Sequence, residues 1–210
     1  QLTGVQEFMG LEFQVNEHVL IPRQDTETLV ELVLSEHKEK NISLLDVCTG
    51  SGCIAISLAK LGGYTDVTAL DLSEEALKVA RSNGEKLLDQ PVKFIKSDMF
   101  SALNPEKQYN VIVSNPPYIP SQVIEGLEPE VKDHEPRMAL DGEPDGLKFY
   151  RILAEEGKKY LKNGGSIYME IGWDQAKDVT EIFEAMGFSG LRTVRDMAGN
   201  DRVVCARKEK

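Results

Sequence analysis

The sequence predicts an α/β protein with a doubly wound, mostly parallel sheet of seven strands and an antiparallel carboxyl-terminal edge. Short apolar runs alternate with amphipathic segments from about residue 43 to about residue 186, which is typical of parallel strands connected by helices on both faces of a sheet. Two further apolar runs, 190–196 and 202–207, have no helical segment between them. They predict antiparallel pairing at one edge.

The elements follow one another in a regular order. Residues 8–21 alternate between apolar and polar and are predicted to be extended. A helix is then expected to about residue 40, with Thr28 and Glu31 at capping-box spacing near its start. The strands of the sheet are expected at 43–48, 66–71, 92–96, 109–114, 166–171, 190–196 and 202–207, and its helices at 53–61, 74–88, 146–161 and 174–186.

Composition argues against several classes of protein. The 210 residues include 24 Lys and Arg against 35 Asp and Glu, and this net charge of −11 argues against wholesale binding to nucleic acid. No run of about 18 apolar residues is present, and the amino terminus lacks the basic flank and apolar core of a signal peptide. Cys48, Cys53 and Cys205 lack CxxC spacing, which indicates buried thiols in a reducing cytosol rather than a disulfide framework or a zinc site.

Residues 115–145 interrupt the alternation of strands and helices. They hold six of the nine prolines and follow a buried strand directly, at the sheet edge where open α/β sheets bind ligands. A loop of this length in a compact domain is commonly functional. Residues 121–145 carry eight acidic and two basic side chains, which indicates either a solvated loop or a surface that repels nucleic acid and attracts a basic protein segment.

A glycine turn connects the first strand of the predicted sheet to its first helix. Gly50 and Gly52 allow the backbone to turn tightly and to approach a ligand. Asp71 ends the next strand, 21 residues after Gly50, where a carboxylate can accept hydrogen bonds from both hydroxyls of a ribose. The pattern fits a nucleoside-type cofactor, a dinucleotide, or a tight turn with no ligand. Asp46 and Thr49 are expected to cap this turn or to lie under the cofactor.

The sequence Asn115-Pro116-Pro117-Tyr118 is the strongest functional motif. Two prolines stiffen the backbone, so that the Asn115 side chain and the Pro116 carbonyl offer two hydrogen-bond acceptors in a fixed geometry. This pair suits a planar NH2 group, and the Tyr118 ring supplies a flat face for stacking. An amide or aromatic amine nitrogen bound there can be directed at an electrophile such as a sulfonium methyl. The alternative interpretation is a proline-rich turn without a ligand.

With these motifs the chain resembles the bacterial release factor glutamine methyltransferases (the PrmC/HemK family). The similarity covers nearly the whole chain and rests on residues 2–8, 20–27, 44–55, 67–73, 97–100, 114–119, 135–136 and 199–203. The resemblance implies the class I, Rossmann-like methyltransferase fold. It also implies transfer of a methyl group from S-adenosylmethionine to the side-chain amide N5 of the glutamine in the GGQ motif of a peptide chain release factor, with S-adenosylhomocysteine as product.

The resemblance also implies roles for particular residues. The cofactor is expected to contact Cys48, Thr49, Gly50, Ser51, Gly52, Asp71, Leu72, Asp98, Met99 and Asn115, with Asp71 at the ribose and Asp98 and Met99 beside the adenine. The glutamine amide is expected to contact Asn115, Pro116, Pro117 and Tyr118, with Arg23 and Glu27 lining the same pocket. The expected catalytic residues are Asn115, Pro116 and Tyr118, and no metal ion is expected. Cys48 and Gln24 stand where the family commonly has glycine and proline.

The resemblance extends to domains and partners. Family members usually begin with a helical domain, so we expect residues 1–40 to be a linker hairpin and helix joined to such a domain, and residues 41–210 to be the methyltransferase domain. The expected partner is a peptide chain release factor, without direct contact to nucleic acid or membrane. The protein is expected to be cytoplasmic and monomeric.

Three other functions stay open. A methyltransferase acting on adenine in nucleic acid, or on a glutamine of a ribosomal protein, would use the same tetrapeptide, although a pI near 4.8 argues against DNA. A nicotinamide oxidoreductase would use the glycine turn but leaves Asn115–Tyr118 unexplained. A cofactor-binding module without activity would not need that motif. Glu170, at the end of a predicted strand, is interpreted equally well as a site residue or as a capped carboxylate.

Overall fold

The computed structural model describes residues 4–132 and 134–210, so Leu2 and Thr3 of the amino-terminal motif and Asp133 of the acidic loop lie outside the described residues. The strands are β1 (Gly4–Phe8), β2 (Leu11–Val15), β3 (Ser43–Val47), β4 (Asp66–Asp71), β5 (Lys93–Lys96), β6 (Tyr109–Ser114), β7 (Leu161–Glu170), β8 (Ser189–Arg195) and β9 (Asp201–Arg207). β1 and β2 form a hairpin, and the other strands form one seven-stranded sheet in the order β5-β4-β3-β6-β7-β9-β8.

Helices cover both faces of this sheet. They are α1 (Glu27–Glu36), α2 (Cys53–Gly62), α3 (Glu74–Leu87), α4 (Ser121–Ile124), α5 (Pro129–Lys132), α6 (Lys148–Tyr160) and α7 (Ala176–Ala185), with 3-10 turns at Gln24–Thr26 and Arg137–Ala139. Successive residues of a strand point to opposite faces of the sheet, and each face has its own hydrophobic core. Leu44 packs with α1 and α2, whereas Leu45 packs with α6 and α7. Among the described residues, no helix has the length and apolar character needed to span a bilayer.

The predicted fold class is confirmed. The five strands from β5 to β7 pair in parallel, and β9 pairs antiparallel with both β7 and β8, which forms the expected antiparallel edge. β7 starts at Leu161 rather than at residue 166, because Leu161 already pairs with Tyr109 of β6. Between Tyr109 and Val111 the pairing is irregular, and β7 contains extra residues there. Gly164, with φ +82°, lies within the extra residues.

The helix before the sheet, α1, has different ends and a different N-cap residue from those predicted. α1 begins at Glu27 and ends at Glu36, and Thr26 rather than Thr28 is its N-cap residue, so the expected capping box is wrong. Thr26 makes no cap hydrogen bond because its hydroxyl donates to the carboxylate of Glu170 instead. Glu27 has a local structural role: one of its carboxylate oxygens accepts the Met9 N–H at 2.7 Å and attaches the hairpin to α1.

Candidate functional site

One cleft lies at the carboxyl ends of the parallel strands. The loops that follow β3, β4, β5 and β6 all contribute to its lining. Of the residues predicted to contact a cofactor, the cleft is lined by Cys48, Thr49, Gly50, Ser51, Asp71, Leu72, Asp98, Met99 and Asn115. Gly52 is not part of the lining, although its neighbours Ser51 and Cys53 are, and it is the N-cap residue of α2. The fold therefore brings together motifs that are separated by more than 60 residues along the chain.

Asp71 holds the glycine turn in place. Its Oδ2 atom accepts the Gly50 N–H at 2.8 Å, and its Oδ1 atom accepts the Ser73 N–H at 2.9 Å. Burial raises the pKa of Asp71, and the two backbone N–H groups oppose this shift. Each carboxylate oxygen has a second lone pair, so Asp71 can still accept hydrogen bonds from a ligand in the cleft.

The two glycines of the turn serve different purposes. Gly50 has φ +56°, and a Cβ atom at this position would meet no atom within 4 Å, because the residue borders the open cleft. Gly52 has φ +83°, and a Cβ atom there would lie 2.8 Å from Ile56 Cδ1 and 3.2 Å from Ala80 Cβ. Gly50 leaves room for a ligand, whereas Gly52 allows α2 to pack closely against α3.

Cys48 occupies a position that favours glycine. Its φ is +66°, in the left-handed region, and this explains why glycine suits the same position in the resembling family. The Cys48 sulfur lies 3.8 Å from the sulfur of Met99, another residue with positive φ, at +49°. Both side chains line the cleft and give this part of it a soft, apolar surface.

Asp46 supports the turn from below. It is completely buried, and its Oδ2 atom accepts the Thr49 hydroxyl at 2.7 Å. Burial raises the pKa of Asp46 to about 7. Asp46 is absent from the cleft lining, whereas Thr49 contributes to it.

The Asn-Pro-Pro-Tyr segment leaves β6 at the edge of the cleft. Asn115 and Pro117 line the cleft, while Pro116 is buried beside them. Among the described residues, none forms a hydrogen bond with the Asn115 carboxamide, which is therefore available to a ligand. Tyr118 is directed toward β7: its hydroxyl donates to Glu170 Oε2 at 3.1 Å, and its carbonyl accepts Gln175 Nε2–H at 2.9 Å.

Arg23, predicted to line the substrate pocket, is engaged elsewhere in the structure. Its guanidinium donates to both carboxylate oxygens of Glu135, at 2.5 and 3.3 Å, and to the Ile21 carbonyl at 3.0 Å. Glu135 is buried and also accepts the Ile21 N–H at 3.0 Å. Arg23 thus joins the segment before α1 to the long proline-rich loop.

The remaining wall of the cleft was not expected from the residues. It includes residues from the segment after the hairpin, from the proline-rich loop and from the start of α6: Val19, Leu20, Pro136, Met138, Ala139 and Phe149. Leu20 and Pro136 belong to stretches that carry the family resemblance, and the loop 115–145 was expected to be functional, but no local pattern assigns Val19, Met138, Ala139 or Phe149 to the cleft. Gln175 was missed for the same reason, although its side chain contacts the Tyr118 carbonyl.

Comparisons with known proteins agree with this arrangement. The family model described as "Methyltransferase small domain" matches residues 24–126. The release factor glutamine methyltransferase of Clostridium botulinum is 42% identical over 210 residues, which cover 99% of this chain and 74% of that protein. The release factor glutamine methyltransferase of Fusobacterium nucleatum is 44% identical over 212 residues, and the match covers 99% of this chain and 59% of that protein's length.

A solved structure gives a similar result. The protein-(glutamine-N5) methyltransferase (release factor-specific) of Alicyclobacillus acidocaldarius is 31% identical, with a TM-score of 0.56. The superposition covers 90% of this chain and 95% of that chain.

Proposed function

Because the chain belongs to the release factor glutamine methyltransferase family, we propose that it transfers a methyl group from S-adenosylmethionine to the amide N5 of the GGQ glutamine of a peptide chain release factor. One observation carries the proposal: the available carboxamide of Asn115 lies in the same cleft as the glycine turn and Asp71. A nucleoside-type cofactor and a planar amide can therefore meet there.

The residues of the cleft suit this cofactor. Gly50 leaves open space beside the turn, Asp71 retains lone pairs for ribose hydroxyls, and the sulfur atoms of Cys48 and Met99 offer a polarisable surface. When bound, S-adenosylmethionine supplies an electrophilic methyl on a sulfonium. In this proposal the cofactor is held by Cys48, Thr49, Gly50, Ser51, Gly52, Asp71, Leu72, Asp98, Met99 and Asn115.

The substrate amide is positioned by the stiff segment after β6. Its two N–H groups donate to Asn115 Oδ1 and to the Pro116 carbonyl, with Pro117 and Tyr118 completing the pocket. These bonds disfavour delocalisation of the nitrogen lone pair and direct it at the methyl carbon, so orientation lowers the barrier. Once the N–C bond has formed and the bond from the methyl carbon to the sulfonium sulfur has broken, which leaves S-adenosylhomocysteine, the nitrogen is cationic and strongly acidic. Water or a backbone carbonyl can then remove the proton, and no dedicated base is needed.

The protein substrate suits the charge of the surface. Residues 121–145, with eight acidic and two basic side chains, attract a basic segment of a protein and repel nucleic acid. We further propose that the enzyme acts as a monomer in the cytoplasm, where release factors work, and binds neither nucleic acid nor membrane directly. In this proposal residues 41–210 form the methyltransferase domain, and residues 1–40 form the hairpin and helix that link it to a preceding domain.

The proposal is tested by incubating a release factor with the enzyme and S-adenosylmethionine and locating the added CH2 mass by mass spectrometry. We expect it on the GGQ glutamine. Asn115→Ala should abolish transfer while calorimetry still detects cofactor binding. Asn163→Ala, at an exposed position in the early part of β7, is the matched control and should behave as wild type. Methylation of adenine or of a ribosomal protein instead, or full turnover by Asn115→Ala, would contradict the proposal.

A further inference from the structure

We propose that Glu170 is a positioning residue for methyl transfer, which acts by anchoring Tyr118 and through it the amide-binding segment Asn115–Pro117. The inference rests on the proposed function and deepens it. Glu170 is only 4% exposed, lies at the last position of β7 and does not line the cleft. It acts through another residue and does not contact the reacting atoms.

Each carboxylate oxygen of Glu170 accepts a hydroxyl group from a distant segment. Its Oε2 atom accepts the Tyr118 hydroxyl, 52 residues away in sequence, at 3.1 Å. Its Oε1 atom accepts the hydroxyl of Thr26, which is 144 residues away. The backbone carbonyl of Glu170 additionally accepts the Tyr150 hydroxyl at 2.6 Å. Three separate segments are thus attached to the end of one central strand.

Burying a carboxylate to hold these segments costs free energy. Burial raises the pKa of Glu170, because the charged form loses hydration. The positive charge of Arg202 and the hydroxyls of Thr26 and Tyr118 oppose that shift and favour the carboxylate. An apolar pair would fill the same space without this cost. A charged acceptor, however, forms stronger and more directional hydrogen bonds than a neutral one, so it orients the Tyr118 ring more firmly.

The backbone of Tyr118 is held as well as its side chain. The Tyr118 carbonyl is held by Gln175 Nε2–H at 2.9 Å, while Gln175 Oε1 accepts the Gly172 N–H at 2.8 Å. Tyr118 is therefore attached to the β7–α7 junction at both its side chain and its backbone. The two prolines between Tyr118 and Asn115 have restricted φ angles, so a fixed Tyr118 also restricts Asn115 and the Pro116 carbonyl.

The chain contains a chemically matched pair outside the cleft. Tyr168, also on β7, donates its hydroxyl to Glu36 Oε1 at 2.7 Å. Neither residue lines the cofactor cleft. Substitutions of this pair report what loss of a tyrosine–carboxylate bond does to the fold, and Glu36→Gln additionally weakens the ion pair of Glu36 with Arg192, at 2.6 Å. They are the natural controls for Tyr118 and Glu170.

The experiment compares Glu170→Gln, Tyr118→Phe and the double variant with Glu36→Gln and Tyr168→Phe. For the first two we expect kcat on the release factor to fall about tenfold, the loss of one hydrogen bond to a charged group, with KM and cofactor Kd unchanged. The double variant should be no slower than either single one, because both remove the same bond. The controls should keep wild-type kcat even where they lower thermal stability.

Hydrogen exchange gives a readout that does not depend on activity. The Ile119 N–H, bonded to the Leu140 carbonyl at 2.9 Å, should exchange faster in Glu170→Gln but not in Glu36→Gln. Wild-type kcat in Glu170→Gln, losses that multiply in the double variant, or unchanged exchange at Ile119 would each overturn the inference. If the wild-type enzyme methylates no release factor, the proposed function fails, and the exchange comparison alone decides whether Glu170 anchors this segment.

Discussion

The guanidinium of Arg23 and the buried carboxylate of Glu135 form a bidentate ion pair, with N–O distances of 2.5 and 3.3 Å, although the two residues are 112 positions apart in the sequence. The residues around each partner line the cleft from different sides: Val19 and Leu20 precede Arg23, and Pro136 follows Glu135. The pair therefore holds two parts of the cleft wall together, although Arg23 itself does not line the cleft.

Arg23→Gln should weaken binding of S-adenosylmethionine about tenfold, because it leaves the Glu135 charge without its partner and lets the two walls separate. Isothermal calorimetry measures this effect. Arg151→Gln is the control, because the pair of Arg151 with Asp145 lies about half exposed, at 53% and 50%, and it should bind as wild type. Wild-type affinity in Arg23→Gln would show that the pair does not support the cleft.

Alanine substitutions at the two glycines of the turn should have different consequences. Gly50→Ala should cost about 1–2 kcal/mol of unfolding free energy from the left-handed backbone alone, and should weaken cofactor binding by entering the cleft. Gly52→Ala should destabilise more, by about 3 kcal/mol or greater, because its Cβ also collides with Ile56 and Ala80. Urea unfolding and calorimetry separate the two effects. Equal losses of stability would contradict the packing role of Gly52.

Asp46 should make stability depend on pH. Its pKa is raised to about 7 in the folded protein, whereas an unfolded aspartate titrates near 3.9, so between these values the folded state binds more protons than the unfolded one. The free energy of unfolding should therefore fall as pH rises from about 4 to about 7, by roughly 1 kcal/mol per unit. Above about pH 7 this contribution becomes constant. Asp46→Asn should lack this slope in urea unfolding, and parallel curves for the two proteins would reject the expectation.

Cys48 should carry backbone strain that glycine relieves. Cys48→Ala keeps a Cβ atom at φ +66°, whereas Cys48→Gly removes it. We expect the glycine variant to be more stable than the alanine variant by about 1 kcal/mol, since relief of about 1–2 kcal/mol exceeds the entropic cost of glycine in the unfolded chain. Chemical unfolding of the two variants measures the difference. An alanine variant as stable as the glycine variant would show that this residue is not strained.

Several features of the protein were predictable because they depend on local chemistry. Alternating apolar runs predicted the strands and helices of the sheet, and the boundaries of β4 and β6 agree with the expected 66–71 and 109–114. Errors arose where tertiary contacts compete with local preference. Thr28 had the spacing of a cap, but α1 starts two residues earlier than that pattern requires, with Thr26 as its N-cap residue, and the Thr26 hydroxyl bonds to Glu170 instead of capping the helix.

The fold class, the glycine turn with Asp71 and the Asn-Pro-Pro-Tyr segment followed from the order of amino acids, since each depends on backbone restrictions or periodicity that a few adjacent residues impose. The folded arrangement was needed to establish the partners of Glu170, the pairing of Arg23 with Glu135 and the cleft wall that includes Phe149. A carboxylate or guanidinium can pair with many groups along a chain, and which one it meets depends on how distant segments pack together.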